Sequence, residues 1–331
     1  MKKTQTSSTF TWIHNKTAQV MIAVWILAMI VAYILGANGL PFNRPVLQTY
    51  SPIQQLINQN LQLFFVFILI VVSYYLTRKR ALPDFNSRVP ERNLAKKEML
   101  YLILYGIVVL FIGGYFGIGM HLHGAIYGPT EDLTPAKVWT WVLYNFIFFA
   151  VIPYSIFRSR GYSNKSMGLH SLNLKNDLLL IFTILIIETA GELAFFKGIF
   201  SLTANQLLLG IPLSMIINLV GTSIPIMIFI YCILLPRYIK VSGSMVTAAI
   251  LGGLTYAGVH VFEYWAVYTS LSTSILSITF IFFQFFGPGL FKSFVTLRTG
   301  NAWVHLWAYH AIAPHVTVDT PYIVNIFNIK E

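Results

Sequence analysis

The sequence predicts an all-α protein: a polytopic membrane bundle of about eight or nine transmembrane helices. Of its 331 residues, 56% are hydrophobic and only 10% are charged, a composition that excludes a water-soluble domain of this length. The apolar residues are grouped into runs of roughly 20, the length that an α-helix needs to cross the hydrocarbon core of a bilayer. Most basic residues lie between these runs. The first partner that the sequence predicts is therefore the lipid bilayer.

The apolar runs define the spans in chain order. We place them near residues 18–35, 61–76, 99–120, 138–157, 178–196, 207–235, 246–268 and 274–291, with a short ninth helix near 301–313. The sixth run is too long for one upright span and contains Pro212 and Pro225. We therefore expect it to be broken, tilted or partly re-entrant.

The loops predict the orientation of the chain. The loop 77–98 carries seven basic residues, whereas the connection 36–60 has only Arg44, so the positive-inside rule puts the loop 77–98 in the cytoplasm. Alternation then places Lys292 and Arg298 in a cytoplasmic loop as well, and the amino terminus on the same side. The prediction is a multi-pass protein of the cell membrane with an uncleaved first helix.

Charge and cysteine content exclude other classes. The net charge of +11 is not accompanied by a soluble basic domain or a nucleic-acid-binding motif, so we expect no nucleic-acid partner. Cys232 is the one cysteine, which rules out an intramolecular disulfide and a cysteine-rich zinc site.

Titratable residues inside the apolar runs are the candidate site. Glu188 and Glu192 are one helical turn apart in the fifth run and would face the same way. At about 1.5 Å per residue, Glu188 and His310 lie near mid-membrane, and Glu192 and His260 about 20 Å from the cytoplasmic end of their helices. Three further histidines fall at or near outer ends: His121, His123 and His315. Buried charges are costly in a bilayer, so we expect one polar chamber.

Two strings carry a family resemblance. YAGVH (Tyr256–His260) and WAYHAIAPH, which contains His310, resemble the second and third signatures of the CPBP family of CAAX-protease and bacteriocin-processing intramembrane endopeptidases. RGYSNKSMGLHSLNLKND is similar to the segment that precedes the core of that family. The resemblance implies a peptidase core over 158–315, variable transmembrane helices over 1–157, and a carboxy-terminal tail over 316–331.

The chain departs from the pattern of the family at two signatures. Glu192 to Lys197 resembles a degenerate Glu-Glu-x-x-x-Arg signature, and Thr222–Cys232, where spacing would place that signature, contains no acid. Pro314 stands where the family has Asn. Either an inserted hairpin near 203–221 separates the signatures, or Glu188 and Glu192 supply carboxylates from a neighbouring helix.

The resemblance and the residues together predict an intramembrane endopeptidase that acts on a membrane-associated or secreted peptide. Glu192, with Glu188 beside it, would activate water together with His260. His310 would stabilise the oxyanion. No cofactor is predicted.

Two alternatives remain open. His121, His123 and His315, with the carboxylates, are metal-ligand types and would suit a metal-dependent hydrolase, but there is no HExxH-like spacing, so we assign no metal ligand from sequence. A non-catalytic relative, acting in immunity, scaffolding or regulation, would explain the two altered signatures.

Glu263, one turn after His260, either orients that imidazole or reaches the outer interface.

Overall fold

The computed structural model describes residues 14–36, 51–122, 133–263 and 265–331, and none of these residues forms a strand. The predicted cytoplasmic amino terminus, Arg44 and His123 lie outside the described residues. In chain order the helices are α1 (Lys16–Leu35), α2 (Pro52–Thr77), α3 (Arg92–Tyr115), α4 (Pro135–Ser159), α5 (Leu174–Phe195), α6 (Ala204–Ser242), α7 (Met245–Gly258), α8 (Leu271–Thr299), α9 (Ala302–His305, continued by the π-helical turn Leu306–His310), α10 (the π-helical turn Ala313–Val318) and α11 (Thr320–Ile326).

Seven of these helices, α1 to α6 and α8, are long and apolar enough to cross a membrane. The predicted helical membrane bundle is therefore supported at this level, with the predicted seventh span replaced by the shorter helix α7. Only 11% of the apolar window of α1 and 17% of that of α5 are buried inside the protein, against 83% for α6 and 67% for α8. The helices α6 and α8 are thus the centre of the bundle, and α1 and α5 present apolar surface to lipid.

Local sequence specifies several helix ends. Ser51 begins α2 with a capping box to Gln54, and Thr203 begins α6 with the same arrangement to Gln206, so that backbone N–H groups of the first turn are satisfied. Gly300 ends α8 in the left-handed conformation at φ 68°, which a residue without a Cβ adopts at low cost.

The helix α6 is continuous, so the break that was one of the three alternatives expected for this run is not observed. It runs for 39 residues and accommodates Pro212 and Pro225 without interruption, with π-helical segments at Leu219–Ser223 and Met227–Leu234. The π-helical turn before Pro225 leaves room for a ring that would clash in a regular helix, whereas Pro212 lies within the regular part of α6. At 1.5 Å per residue the run is about 58 Å long, well beyond a hydrocarbon core of about 30 Å, so it must tilt or protrude.

The end of the predicted eighth span is wrong. The helix α8 continues to Thr299, and Lys292 and Arg298 lie within it, 1% and 8% exposed, rather than in a cytoplasmic loop. Internal partners make this possible: Arg298 donates a hydrogen bond to the carbonyl oxygen of Thr77 at 2.6 Å, and the Lys292 ammonium lies over the ring of Tyr256. The prediction ended the span before Lys292 because a basic residue is unfavourable inside a membrane helix. The residues that contact Lys292 and Arg298 are distant in sequence and could not be predicted from the local run.

The helices α7 and α8 pack closely through glycines. A Cβ on Gly289 would lie 2.5 Å from the Cβ of Tyr256, and a Cβ on Gly253 would lie 3.1 Å from the backbone nitrogen of Leu290. Small residues let two membrane helices approach in this way. The approach fixes the end of α7, where His260 follows.

The predicted tail contains packed structure. The helix α11 lies against α6, where a Cβ on Gly210 would meet Val324 at 2.5 Å. Residues 320–326 are therefore part of the bundle.

The loop 77–98 meets the ends of several helices, and we call this region the basic end. Arg80 forms an ion pair with Asp177 at the start of α5, and Arg88 donates to the carbonyl oxygen of Gly300 at 2.8 Å. The loop 77–98, the start of α5 and the end of α8 thus share one end of the bundle. Which side of the membrane this end faces remains a prediction.

Candidate functional site

Four histidines from different parts of the chain meet inside the bundle, and we call the space between their rings the histidine chamber. His121 follows α3, His260 follows α7, His310 ends the turn after α9, and His315 lies in α10. The ring centroids are 4.4 Å apart for His121 and His260, 6.1 Å for His121 and His315, and 5.3 Å for His310 and His315. The two histidines of the predicted catalytic set, His260 and His310, therefore line the same chamber.

The surroundings of His260 fix the orientation of its ring. The ring is fully buried, stacks on Phe285 at 3.8 Å and 14°, and lies 4.6 Å from the ring of Tyr256. Its Nδ1 is 2.5 Å from the carbonyl oxygen of Tyr256. A carbonyl only accepts hydrogen bonds, so Nδ1 carries the proton, and in the neutral ring Nε2 presents its lone pair.

That lone pair faces His121. The Nε2 atoms of His260 and His121 are 3.3 Å apart, and Nδ1 of His121 is 3.2 Å from a carboxylate oxygen of Glu263. Glu263 is 4% exposed, and neither of its oxygens has a hydrogen-bond donor among the described residues. The question left open for Glu263 is thus answered: its side chain faces His121 inside the bundle.

His315 is oriented by a carboxylate. Its Nδ1 is 2.8 Å from Oδ2 of Asp319, while its Nε2 is buried without a hydrogen-bond partner among the described residues. A small cavity of about 20 Å³ lies beside it, with His121, His315 and Asp319 among its lining residues. That volume is enough for one water molecule.

His310 lacks hydrogen bonds altogether in the described part of the chain. It is 2% exposed, and neither ring nitrogen has a partner. A buried polar atom without a partner costs about 1 to 3 kcal/mol. Such atoms are rare in folded proteins, and one reason to retain them is a role in binding or catalysis.

The predicted carboxylates lie on α5, which packs against the turn after α9 and against α10. Glu188 is 5% exposed and its Oε2 has no partner among the described residues, whereas Glu192 is only partly buried. Both interact electrostatically with Tyr309, and Glu192 also interacts with Asp319.

The expected pairing of Glu192 with His260 is not seen as a direct contact. Within the described residues no hydrogen bond or ion pair joins them, and His260 contacts His121 instead. That Glu192 and His260 act on one shared water stays a prediction. Sequence reasoning left Glu263, which lies one turn after His260 in the chain, out of the candidate site.

Lys292 is the site residue that the sequence prediction missed. Its ammonium lies 3.7 Å above the ring centroid of Tyr256, and it interacts electrostatically with Glu188 and with His310. It therefore interacts both with a carboxylate of α5 and with the histidine chamber. The sequence signal that could have identified Lys292 is its position inside an apolar, Phe-rich run, where it is followed by Ser-Phe-Val.

Two further features lie outside the chamber. His305 contacts Oγ1 of Thr296 through Nδ1 at 3.0 Å, and its ring lies 4.2 Å from that of Tyr231, so it acts as a packed, hydrogen-bonded side chain. Thr222–Cys232, where an acidic signature would stand, lies in the buried centre of α6 and contains no carboxylate.

Comparison of the chain with protein-family models, with curated proteins and with solved structures finds no match in any of the three. The resemblance to the CPBP family therefore remains a prediction from the quoted signatures.

Proposed function

We propose that the protein is an intramembrane peptidase that hydrolyses an amide bond in a membrane-associated or secreted peptide. The observation that carries the proposal is the burial of Glu188, Lys292 and His310, with Lys292 interacting electrostatically with both of the others. Among the described residues, Oε2 of Glu188 and both ring nitrogens of His310 have no hydrogen-bond partner. A hydrolytic site requires a proton acceptor and a hydrogen-bond donor that are both free to interact with the substrate.

The carboxylates supply the base. A carboxylate in apolar surroundings accepts a proton more readily than one in water, because burial disfavours its charged form. Glu192, at the partly exposed margin, takes a proton from water as the oxygen attacks the peptide carbonyl. Glu188 balances the charge of Lys292 and keeps that ammonium in place.

His310 supplies the electrophilic side. Its free N–H donates to the carbonyl oxygen as negative charge develops on it, and a donor held in place in a low-dielectric site stabilises the tetrahedral intermediate strongly. When the C–N bond breaks, the protonated base returns its proton to the amine. The products are one new carboxyl terminus and one new amino terminus.

The test uses native peptides and labelled water. Purified protein in lipid vesicles is mixed with membrane and secreted peptides from source cells that lack the gene, in H₂¹⁸O, and the new carboxyl termini are counted by mass spectrometry. Glu192→Gln and His310→Ala should each lower the labelled product by a factor of about 100 or more.

Matched controls separate chemistry from folding. Glu91→Gln and His170→Ala change the same residue types at exposed positions and should retain full activity. The proposal fails if the unmodified protein releases no labelled terminus, or if both site variants release as much as it does.

A non-catalytic role is the second candidate, and the absence of any acid from Thr222–Cys232 favours it. It predicts that the cellular phenotype of a gene deletion is reversed equally well by the unmodified protein, by Glu192→Gln and by His310→Ala.

A further inference from the structure

One group of side chains in the histidine chamber has no part in the proposed hydrolysis. His121, His260 and Glu263 each offer a ligand atom, and these atoms all lie within 4.8 Å of one another. We infer that the three residues bind a divalent transition-metal ion, most suitably Zn²⁺, with one water as the fourth ligand. Two imidazoles and one glutamate are an established ligand set for zinc that keeps an open position.

The spacing of the nitrogens fits the ion. With Zn–N bonds of about 2.1 Å and tetrahedral angles, two ligand nitrogens are about 3.4 Å apart. The Nε2 atoms of His121 and His260 are separated by 3.3 Å.

The hydrogen bonds around the rings have the form found at metal sites. A metal-bound histidine usually donates its other ring N–H to a carbonyl or carboxylate, which fixes the tautomer. His260 does this with the carbonyl of Tyr256, and His315 with the carboxylate of Asp319. In both rings the lone pair is left on Nε2, and the Nε2 of His315 has no partner among the described residues.

Charge supports the same assignment. Glu263 is buried, its oxygens receive no hydrogen bond in the described part of the chain, and its ion-pair contact is with His121 at 3.2 Å. A carboxylate in this setting needs a cation. Without a metal, the lone pair of His260 would need an N–H on Nε2 of His121 as its partner.

A cavity beside His121 offers space for water next to the proposed ligands. It holds about one water molecule and is also lined by His315 and Asp319, but not by His260 or Glu263. The unpaired Nε2 of His315 would accept a hydrogen bond from a metal-bound water. His315 is thus a positioning residue for that water rather than a ligand.

The experiment measures the metal directly. The full-length protein, carrying no histidine tag, is purified in detergent, stripped with chelator, dialysed against buffered Zn²⁺ and analysed by mass spectrometry for metals. We expect about one Zn²⁺ per chain. Loss of a ligand in His121→Ala or Glu263→Gln should abolish retention, whereas His315→Ala, outside the ligand set, should weaken affinity by a factor of about 10 to 100.

Controls and a second readout keep the test independent of folding. His170→Ala and Glu91→Gln should retain the ion. Co²⁺ added to the stripped, unmodified protein should give the intense visible absorption of a four-coordinate site and lose it when Zn²⁺ is added. The inference is overturned if the unmodified protein retains no stoichiometric Zn²⁺ and gives no such spectrum, since an N–H···N hydrogen bond between His121 and His260 would then explain their contact. It is also overturned if His121→Ala and Glu263→Gln bind as tightly as the unmodified protein.

The outcome is separate from that of the proposed hydrolysis, because metal binding is measured without substrate. Glu192→Gln and His310→Ala, which should abolish hydrolysis, should leave the Zn²⁺ content unchanged. A protein that binds the ion but releases no labelled peptide would refute the peptidase and leave the metal site in place.

Discussion

The basic end and the histidine chamber contain the same kinds of buried side chain but satisfy them differently. At the basic end, Glu98 accepts a hydrogen bond from Nε of Arg237 at 2.9 Å and further bonds from the hydroxyl of Tyr162 at 3.1 and 3.2 Å. Burial raises the pKa of the Tyr162 phenol, so the phenol stays protonated and remains a donor. The charges there have partners on the neighbouring helices.

In the chamber, polar atoms of Glu188, Glu263, His310 and His315 have no hydrogen-bond partner among the described residues. A buried polar group that has a hydrogen-bond partner in the protein stabilises the fold. A buried polar group without one is available to bind water, an ion or a substrate. The difference therefore separates residues that hold the bundle together from residues that are available for chemistry. Both groups would look alike to a search for buried charges.

The largest expected effect is on stability at the basic end. Replacing Arg237 by Met removes the cation beside Glu98 and leaves the carboxylate buried, so unfolding free energy should fall by about 3 to 5 kcal/mol. Reversible unfolding in mixed micelles measures it. A loss below 1 kcal/mol would mean that water reaches Glu98 and that the two regions do not differ as argued.

In the histidine chamber, a substitution should change the free energy of unfolding in the opposite direction. Replacing His310 by Phe removes two unpaired nitrogens from an apolar setting and should leave stability unchanged or raise it by about 1 to 3 kcal/mol, while hydrolysis is lost. His305→Phe is the matched control: it breaks the contact with Thr296 and should destabilise by about 1 kcal/mol. If His310→Phe destabilises as much as Arg237→Met does, His310 has a structural partner and the comparison fails.

The substitution with the smallest expected effect on the protein tests which end of the bundle faces the cytoplasm. Ser87 is exposed in the loop 77–98, and Cys232 is buried, so Ser87→Cys supplies one reactive thiol against an unreactive background. In intact cells a membrane-impermeant maleimide should label it only after the membrane is opened, because the basic loop is predicted to be cytoplasmic. Labelling of unopened cells would invert the orientation and place the chamber in the other half of the bilayer.

Hydropathy predicted the bounds of some spans closely and the bounds of α7 and α8 poorly. The bounds of α1 and α5 are close to the predicted runs 18–35 and 178–196. The prediction stopped at residue 291 because Lys292 follows, and a window of local hydropathy has no information about the ring of Tyr256 that covers the ammonium. The predicted span 246–268 was too long for a related reason: α7 ends at Gly258, and His260 and Glu263 turn inward from the segment that follows.

The sequence by itself determined the class of the protein, the approximate spans and the residue types of the site, because these depend on composition and on helical length and periodicity. Its depth argument put His310 near mid-membrane, His260 about 20 Å from the cytoplasmic end of its helix and His315 at or near an outer end, and from this it predicted one polar chamber. Only the tertiary structure decided which partners each residue has: His121 with His260 and Glu263, and Asp319 with His315. Depth along a helix follows from the chain at a fixed rise per residue, whereas the rotation of each helix and the choice of its neighbours follow from side-chain packing between segments far apart in sequence.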